Sequence, residues 1–170
     1  MIVFVEGLSK IGKTTFIDLF MKRYPETIRF KGSGQVHIGM DDRWEEYNWY
    51  MHNIIERLDS LNNHEKIILW DRGLSEAVYS DPKWARLSKN HAHKMVVYFK
   101  LPKYDVLRKR GTKEGYNATK HLNSYDAMLT QFDTVTVEMQ KRDKYMITKE
   151  MIMKVFGEIT CRMPQVTLDT

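Results

Sequence analysis

Cysteine, proline and long apolar runs are what this chain has least of. One cysteine, Cys161, stands among 170 residues, so no disulfide can form within the chain; such usage fits a reducing compartment. A lone cysteine without a paired histidine motif reads as a small buried hydrophobe. No apolar run approaches the ~20 residues of a membrane span. Met1-Ile2-Val3-Phe4-Val5 falls short of the ~7 apolar residues of a signal segment. The expectation is a cytoplasmic protein with no membrane partner. Four prolines and nine glycines form no linker and no repeat is visible, so one domain is expected over residues 1–170. His91 and His93, the only close histidine pair, lack the neighbouring ligands of a metal centre. Charge of one sign is modest too. There are 27 Lys+Arg against 22 Asp+Glu, a net +5, which allows an anionic partner without demanding a polymer.

What is present is an alternation of short apolar runs and longer amphipathic stretches. Ile2 to Val5 reads as a strand apolar on both faces, as in a covered parallel sheet. Lys13 to Tyr24 reads as a helix, with Phe16, Ile17, Leu19 and Phe20 apolar and Pro25 beyond. Thr27 to Phe30, Lys66 to Trp70 and Met95 to Phe99 are further strands. Arg43 to Leu61 carries apolar residues at helical spacing, and Asp42 with Glu45 resembles a capping box at its start. Tyr125 to Gln140 reads as a helix and Tyr145 to Ile147 as a last short strand. Thr148 then caps a helix carrying Met151, Ile152, Val155, Phe156 and Ile159. Strands alternating with helices imply an α/β fold with a parallel sheet flanked by helices.

Gly7-Leu8-Ser9-Lys10-Ile11-Gly12-Lys13-Thr14 fits the pattern G-x-x-x-x-G-K-[ST]. It follows a strand and opens a helix, as its mechanics require. The glycines let successive N–H groups turn toward phosphate oxygens, and the helix N-terminus adds partial positive charge. Gly7, Ser9, Lys10, Ile11, Gly12, Lys13, Thr14 and Thr15 are thus candidate contacts to the phosphates of ATP. Lys13 is placed for the β- and γ-phosphates and the Thr14 hydroxyl for Mg²⁺. The motif by itself does not separate kinases from GTPases or motor ATPases. The size of the chain and the absence of an N-K-x-D-like guanine motif favour a nucleotide or nucleoside kinase.

Ile67-Ile68-Leu69-Trp70-Asp71-Arg72 puts an acid and an arginine at the C-terminal end of a buried strand, the edge where open α/β sheets bind ligands. Asp71 suits the Mg²⁺ shell, and Arg72 suits a forked grip on phosphate. At this point the sequence resembles the thymidylate kinase family. The carrying residues are Val5-Glu6-Gly7-Leu8 with the phosphate loop, Arg29-Phe30, Asp42-Arg43-Trp44-Glu45, Asp71-Arg72 followed by Ser75, Ala77 and Tyr79, and Lys109-Arg110-Gly111. The resemblance implies a P-loop kinase fold with a central parallel five-stranded sheet, a short basic lid at about 108–121, ATP and Mg²⁺ as cofactors, and a homodimer. It implies γ-phosphoryl transfer to a deoxynucleotide acceptor, such as dTMP, held beside Phe30, Arg43, Arg72 and Tyr79. By the same resemblance Lys13, Asp71 and Arg72 are catalytic, and Lys10 stands where some members place an arginine on the transferring group.

Three departures lie on the acceptor side. Ser9 replaces the family's usual acid near the acceptor sugar. Lys31-Gly32-Ser33-Gly34 stands where an arginine normally receives the acceptor phosphate. Gly39 sits nearest to the position of an aromatic over the base. The acceptor therefore stays open between a free deoxynucleoside monophosphate and a hydroxyl, such as a hydroxymethyluracil group in phage DNA, whose kinases resemble thymidylate kinases. The latter would act in an infected host's cytoplasm, on a flipped base, and needs a general base from Asp71, Asp41 or Glu6. A non-catalytic ATP-sensing module is the remaining alternative. Residues 103–120 hold six basic residues against two acidic ones, so most of the net charge sits in the expected lid, where Arg108 can reach phosphate and Arg110 can stack on adenine.

Overall fold

The computed structural model describes residues 1–8, 11–30, 66–71, 94–101, 130, 132–139 and 146–163. In chain order these form β1 (Ile2–Gly7), α1 (Lys13–Arg23), β2 (Ile28–Phe30), β3 (Ile68–Asp71), β4 (Lys94–Lys100), β5 (Thr134–Glu138) and a second helix, α2 (Lys149–Arg162). The strands make one parallel sheet in the order β2-β3-β1-β4-β5. The expected α/β fold, with its five-stranded parallel sheet and flanking helices, is what the chain adopts. Among the described residues no helix is long and apolar enough to cross a membrane.

β1 lies at the centre because every residue of it is buried, which only a strand paired on both edges and covered on both faces tolerates. Its neighbours, β3 and β4, lie on opposite sides, so the strand order switches direction at β1 and a crevice opens at its C-terminal end. The register puts Val5 opposite Asp71 and Gly7 opposite Phe99. The ends of β1, β3 and β4 therefore converge on one edge.

Side chains of a strand alternate between faces, and aromatic rings fill both. On one face the ring of Phe16, from α1, meets Phe99 edge-on at 5.1 Å. On the other, Phe4 packs against Trp70 at 5.4 Å and Phe132 at 5.9 Å. α1 buries Phe16, Ile17 and Phe20, and α2 buries Ile152, Val155 and Ile159. Tyr24, just past α1, stacks on Phe156 of α2 with centroids 3.8 Å apart and planes 7° apart. A fully buried side chain of this kind contributes about 1.5–3 kcal/mol from apolar area alone, so these contacts anchor α1 at the edge where the site lies.

The start of α2 is as expected: Thr148 accepts from the Met151 N–H at 3.2 Å. At its other end Arg162 bonds Asp133 through Nε and Glu158 through Nη1 at 2.6 Å. Pairing with Asp133, then with Glu158, raises the guanidinium above its ordinary range. Both acids are largely exposed, so the tie fixes geometry more than it adds stability.

Three expectations are corrected. The fifth strand is Thr134–Glu138, inside the stretch 125–140 read as a helix, and residues 146–147 belong to no strand. The segment Thr-Val-Thr-Val-Glu alternates with period two, burying Val135 and Val137 and leaving Thr136 and Glu138 outward. Cys161 is exposed rather than buried, because it follows Ile159 by two residues, roughly 200° around the helix from the core stripe. The expected helix at 43–61, the capping box and the basic stretch at 103–120 lie outside the described residues.

Candidate functional site: the phosphate loop and the ends of β2 and β3

The loop from β1 to α1 turns on two glycines with positive φ, Gly7 at 146° and Gly12 at 104°. A Cβ on Gly7 would lie 2.8 Å from the Phe99 carbonyl oxygen, an overlap no rotamer relieves because the obstacle is backbone. Gly7 thus lets β1 turn out of the sheet against β4. Gly12 is the N-cap of α1 in left-handed conformation, and its missing Cβ faces Ile147, whose Cδ1 would be 3.4 Å away. Ile147, from the segment before α2, thus backs the loop, and Ile11 is fully buried beneath it.

The N-terminus of α1 carries no side-chain cap bond and no acid in its first turn. Most helices satisfy these positions with Ser, Thr, Asp or a first-turn carboxylate. The positive end of the α1 dipole therefore has neither a side-chain cap nor a first-turn carboxylate against it. Lys13 reinforces it. Its buried ammonium donates to the Gly7 carbonyl at 2.8 Å and to the Leu8 carbonyl at 2.5 Å, drawing the loop into a closed ring around a fixed positive charge. Thr14 and Thr15 are exposed on the first turn of α1.

Across the crevice β3 delivers Asp71. The Thr14 hydroxyl donates to Asp71 Oδ2 at 3.3 Å, and Arg29 Nη2, from β2, donates to the same oxygen at 3.2 Å. Arg29 Nη1 turns the other way, to Asp18 Oδ1 of α1 at 2.7 Å. Side-chain exposure separates the two pairs: 8% for Asp71 against 59% for Asp18. The Arg29–Asp71 pair is the one that screens a buried charge.

Of the site residues expected from sequence, Gly7, Ile11, Gly12, Lys13, Thr14, Thr15 and Asp71 come together here. The backbone of Phe30 pairs with Trp70 at the end of β2 on the same edge. Glu6 is fully buried in β1, opposite Tyr98. Ser9, Lys10, Asp41, Arg43, Arg72, Tyr79, Arg108 and Arg110 lie outside the described residues. Two members of the site were not singled out by sequence. Ile147 is one. Arg29 is the other: in the sequence it stands only as part of the Arg29-Phe30 match, with no role at the site, and the β2–β3 register is what puts it beside Asp71.

A glycine-turned loop with an uncapped helix, a loop lysine, and a Thr–Asp pair at the switch point define a P-loop α/β protein with the P-loop kinase fold. No family model matches the chain, and no curated protein matches it. Solved structures do. The YorR protein of Bacillus subtilis, crystallised with phosphorylated GDP, superposes with a TM-score of 0.61 at 16% identity, over 94% of this chain and 96% of that one. The deoxyadenosine kinase of M. mycoides with bound dATP gives 0.54 at 14% identity, over 94% and 99%. The shikimate kinase of Aquifex aeolicus gives 0.53 at 16% identity, over 95% and 97%. At these identities the likeness is one of fold.

Proposed function

We propose that this chain is an ATP- and Mg²⁺-dependent phosphotransferase that moves the γ-phosphoryl group to a deoxynucleotide-type acceptor, in the manner of a thymidylate kinase. The observation that carries the reading is the Thr14–Asp71 contact at 3.3 Å, directly beside the ring that Lys13 closes over the Gly7 and Leu8 carbonyls. A phosphate chain needs N–H donors and a fixed cation, and a divalent metal needs hard oxygen donors. The bare backbone at Gly7 and Gly12, the uncapped α1 and the Thr14 and Asp71 oxygens match both demands. A module that only binds nucleotide needs the loop; an acid at the end of β3, bonded to the loop threonine, adds the part used for transfer.

Mg·ATP, when bound, supplies the phosphoryl group and neutralises its oxygens. The loop and first-turn N–H groups orient the phosphates, and Lys13 holds positive charge where negative charge is shared between donor and acceptor. Thr14 and Asp71 hold the metal side. In this reading Lys10 and Arg72 add charge around the transferring group. Phe30, Arg43 and Tyr79 bind the acceptor, and Arg108 and Arg110 close the lid on ATP.

The neighbours include kinases named for acceptors as unlike as shikimate and deoxyadenosine, so fold leaves the acceptor free. The departures at Ser9, residues 31–34 and Gly39 keep a hydroxymethylated base in DNA as a second acceptor. Labelled ATP supplied with free deoxynucleoside monophosphates, deoxynucleosides, plain duplex DNA and hydroxymethyluracil-containing DNA separates them. Label on free dTMP supports the first acceptor, label retained only on modified DNA the second. No label on any acceptor, with ATP still bound, leaves a sensing module.

A further inference from the structure

Arg29 divides its guanidinium between two acids instead of forking onto one. Nη2 meets the buried Asp71 at 3.2 Å and Nη1 meets the exposed Asp18 at 2.7 Å. The third nitrogen, Nε, is buried without a hydrogen-bond partner among the described residues. Arg–carboxylate pairs are frequently bidentate; this one is split and, among the described residues, incompletely satisfied. The oxygen that Arg29 holds, Asp71 Oδ2, is also the one bonded to Thr14. On the reading of the site proposed above, that oxygen belongs to the metal side.

We propose that Arg29 is a positioning residue that serves as the resident counter-ion of Asp71 and competes with the divalent cation for it, with Asp18 retaining the guanidinium once the cation takes Asp71. This inference rests on the Mg²⁺-dependent nucleotide site proposed above. A buried carboxylate without a partner is costly, so an internal cation keeps β2, β3 and α1 in register before metal arrives. Asp18, one helical turn beyond Thr14 on α1, is the alternative acceptor that lowers the cost of releasing Arg29.

The test is the Mg²⁺ concentration giving half of the rise in unfolding temperature produced by a non-hydrolysable ATP analogue, read on the full chain without turnover. Arg29→Gln lowers that midpoint by about tenfold, the order expected when one unit charge a few ångströms from a cation is removed at a partly solvated site. Asp18→Asn raises it by roughly threefold, because Arg29 then has Asp71 alone. In the double variant Asp18→Asn adds nothing to Arg29→Gln, since Asp18 acts through Arg29. Arg29→Lys, which keeps the charge, restores the midpoint to within about twofold of the unaltered protein.

Midpoints that rise in both single variants, that do not move, or that add independently in the double variant overturn the proposal and leave the parent reading standing. Asp18 is exposed, so Asp18→Asn tests the hand-off even where Arg29→Gln does not fold: an unmoved midpoint overturns it. An unaltered protein with no response to Mg²⁺ and the analogue overturns the parent reading, and this inference with it.

Discussion

The Thr14 hydroxyl, on the first turn of α1, donates to Asp71 Oδ2, the last residue of β3 and 57 positions later in the chain, across 3.3 Å. That single contact joins the glycine-turned loop to the strand edge and is the observation on which the proposed transfer site rests. It exists because β1 and β3 pair in parallel with Val5 opposite Asp71, which brings both strand ends to the foot of α1.

The two loop glycines are expected to differ in what they tolerate. Gly7→Ala forces a Cβ to 2.8 Å from the Phe99 carbonyl oxygen at a φ of 146°. Gly12→Ala meets only ordinary contact with Ile147, at 3.4 Å, so its cost is mainly the left-handed backbone, about 1–2 kcal/mol. Urea unfolding should show Gly7→Ala losing clearly more stability than Gly12→Ala; equal losses would contradict the close approach of β1 and β4.

Gly157 offers the opposite case. It lies inside α2, and a Cβ there would meet nothing within 4 Å. Gly157→Ala is expected to stabilise the protein by about 0.5–1 kcal/mol, through the helix propensity of alanine and the reduced freedom of the unfolded chain. Phosphoryl transfer should be unchanged. A loss of stability on denaturant unfolding would mean that this face of α2 is covered.

Thr148→Ala removes the acceptor of the Met151 N–H and is expected to cost about 1 kcal/mol. Thr148→Ser or Thr148→Asp should recover most of it, which thermal unfolding of the three variants would show.

Much of this molecule was legible in its residues, and what was not has a physical reason. The loop, β1, α1, Asp71 at the end of β3 and the Thr148 cap rest on local patterns: a fixed spacing, an apolar run, a capping residue. The stretch 125–140 failed because Met128, Leu129, Phe132, Val135 and Met139 recur at helical steps, while the period-two signal is confined to Thr134–Glu138. A short buried strand and a helix share such apolar patterns, and pairing with β4 decides between them. Arg29 was hidden differently. Its place beside Asp71 depends on the register between β2 and β3, which are adjacent in space and separated in sequence by residues 31–67.

The same limit applies to the acceptor. The donor half of the proposed site is read from contiguous sequence, residues 7–15, plus one strand end. An acceptor pocket is assembled from residues that no short motif collects, which is why the departures at Ser9 and Gly39 raise the question of the acceptor without answering it.

Transfer of labelled phosphate from ATP by the unaltered protein and by Lys13→Ala, across the panel of free deoxynucleotides and DNA acceptors, tests the central claim most directly. The account predicts transfer to one acceptor class by the unaltered protein and a loss of at least about 100-fold in Lys13→Ala, the scale of removing one preorganised charge from a transfer site, with the variant still folded by thermal unfolding. Transfer that persists at a near-native rate in a folded Lys13→Ala protein would contradict it.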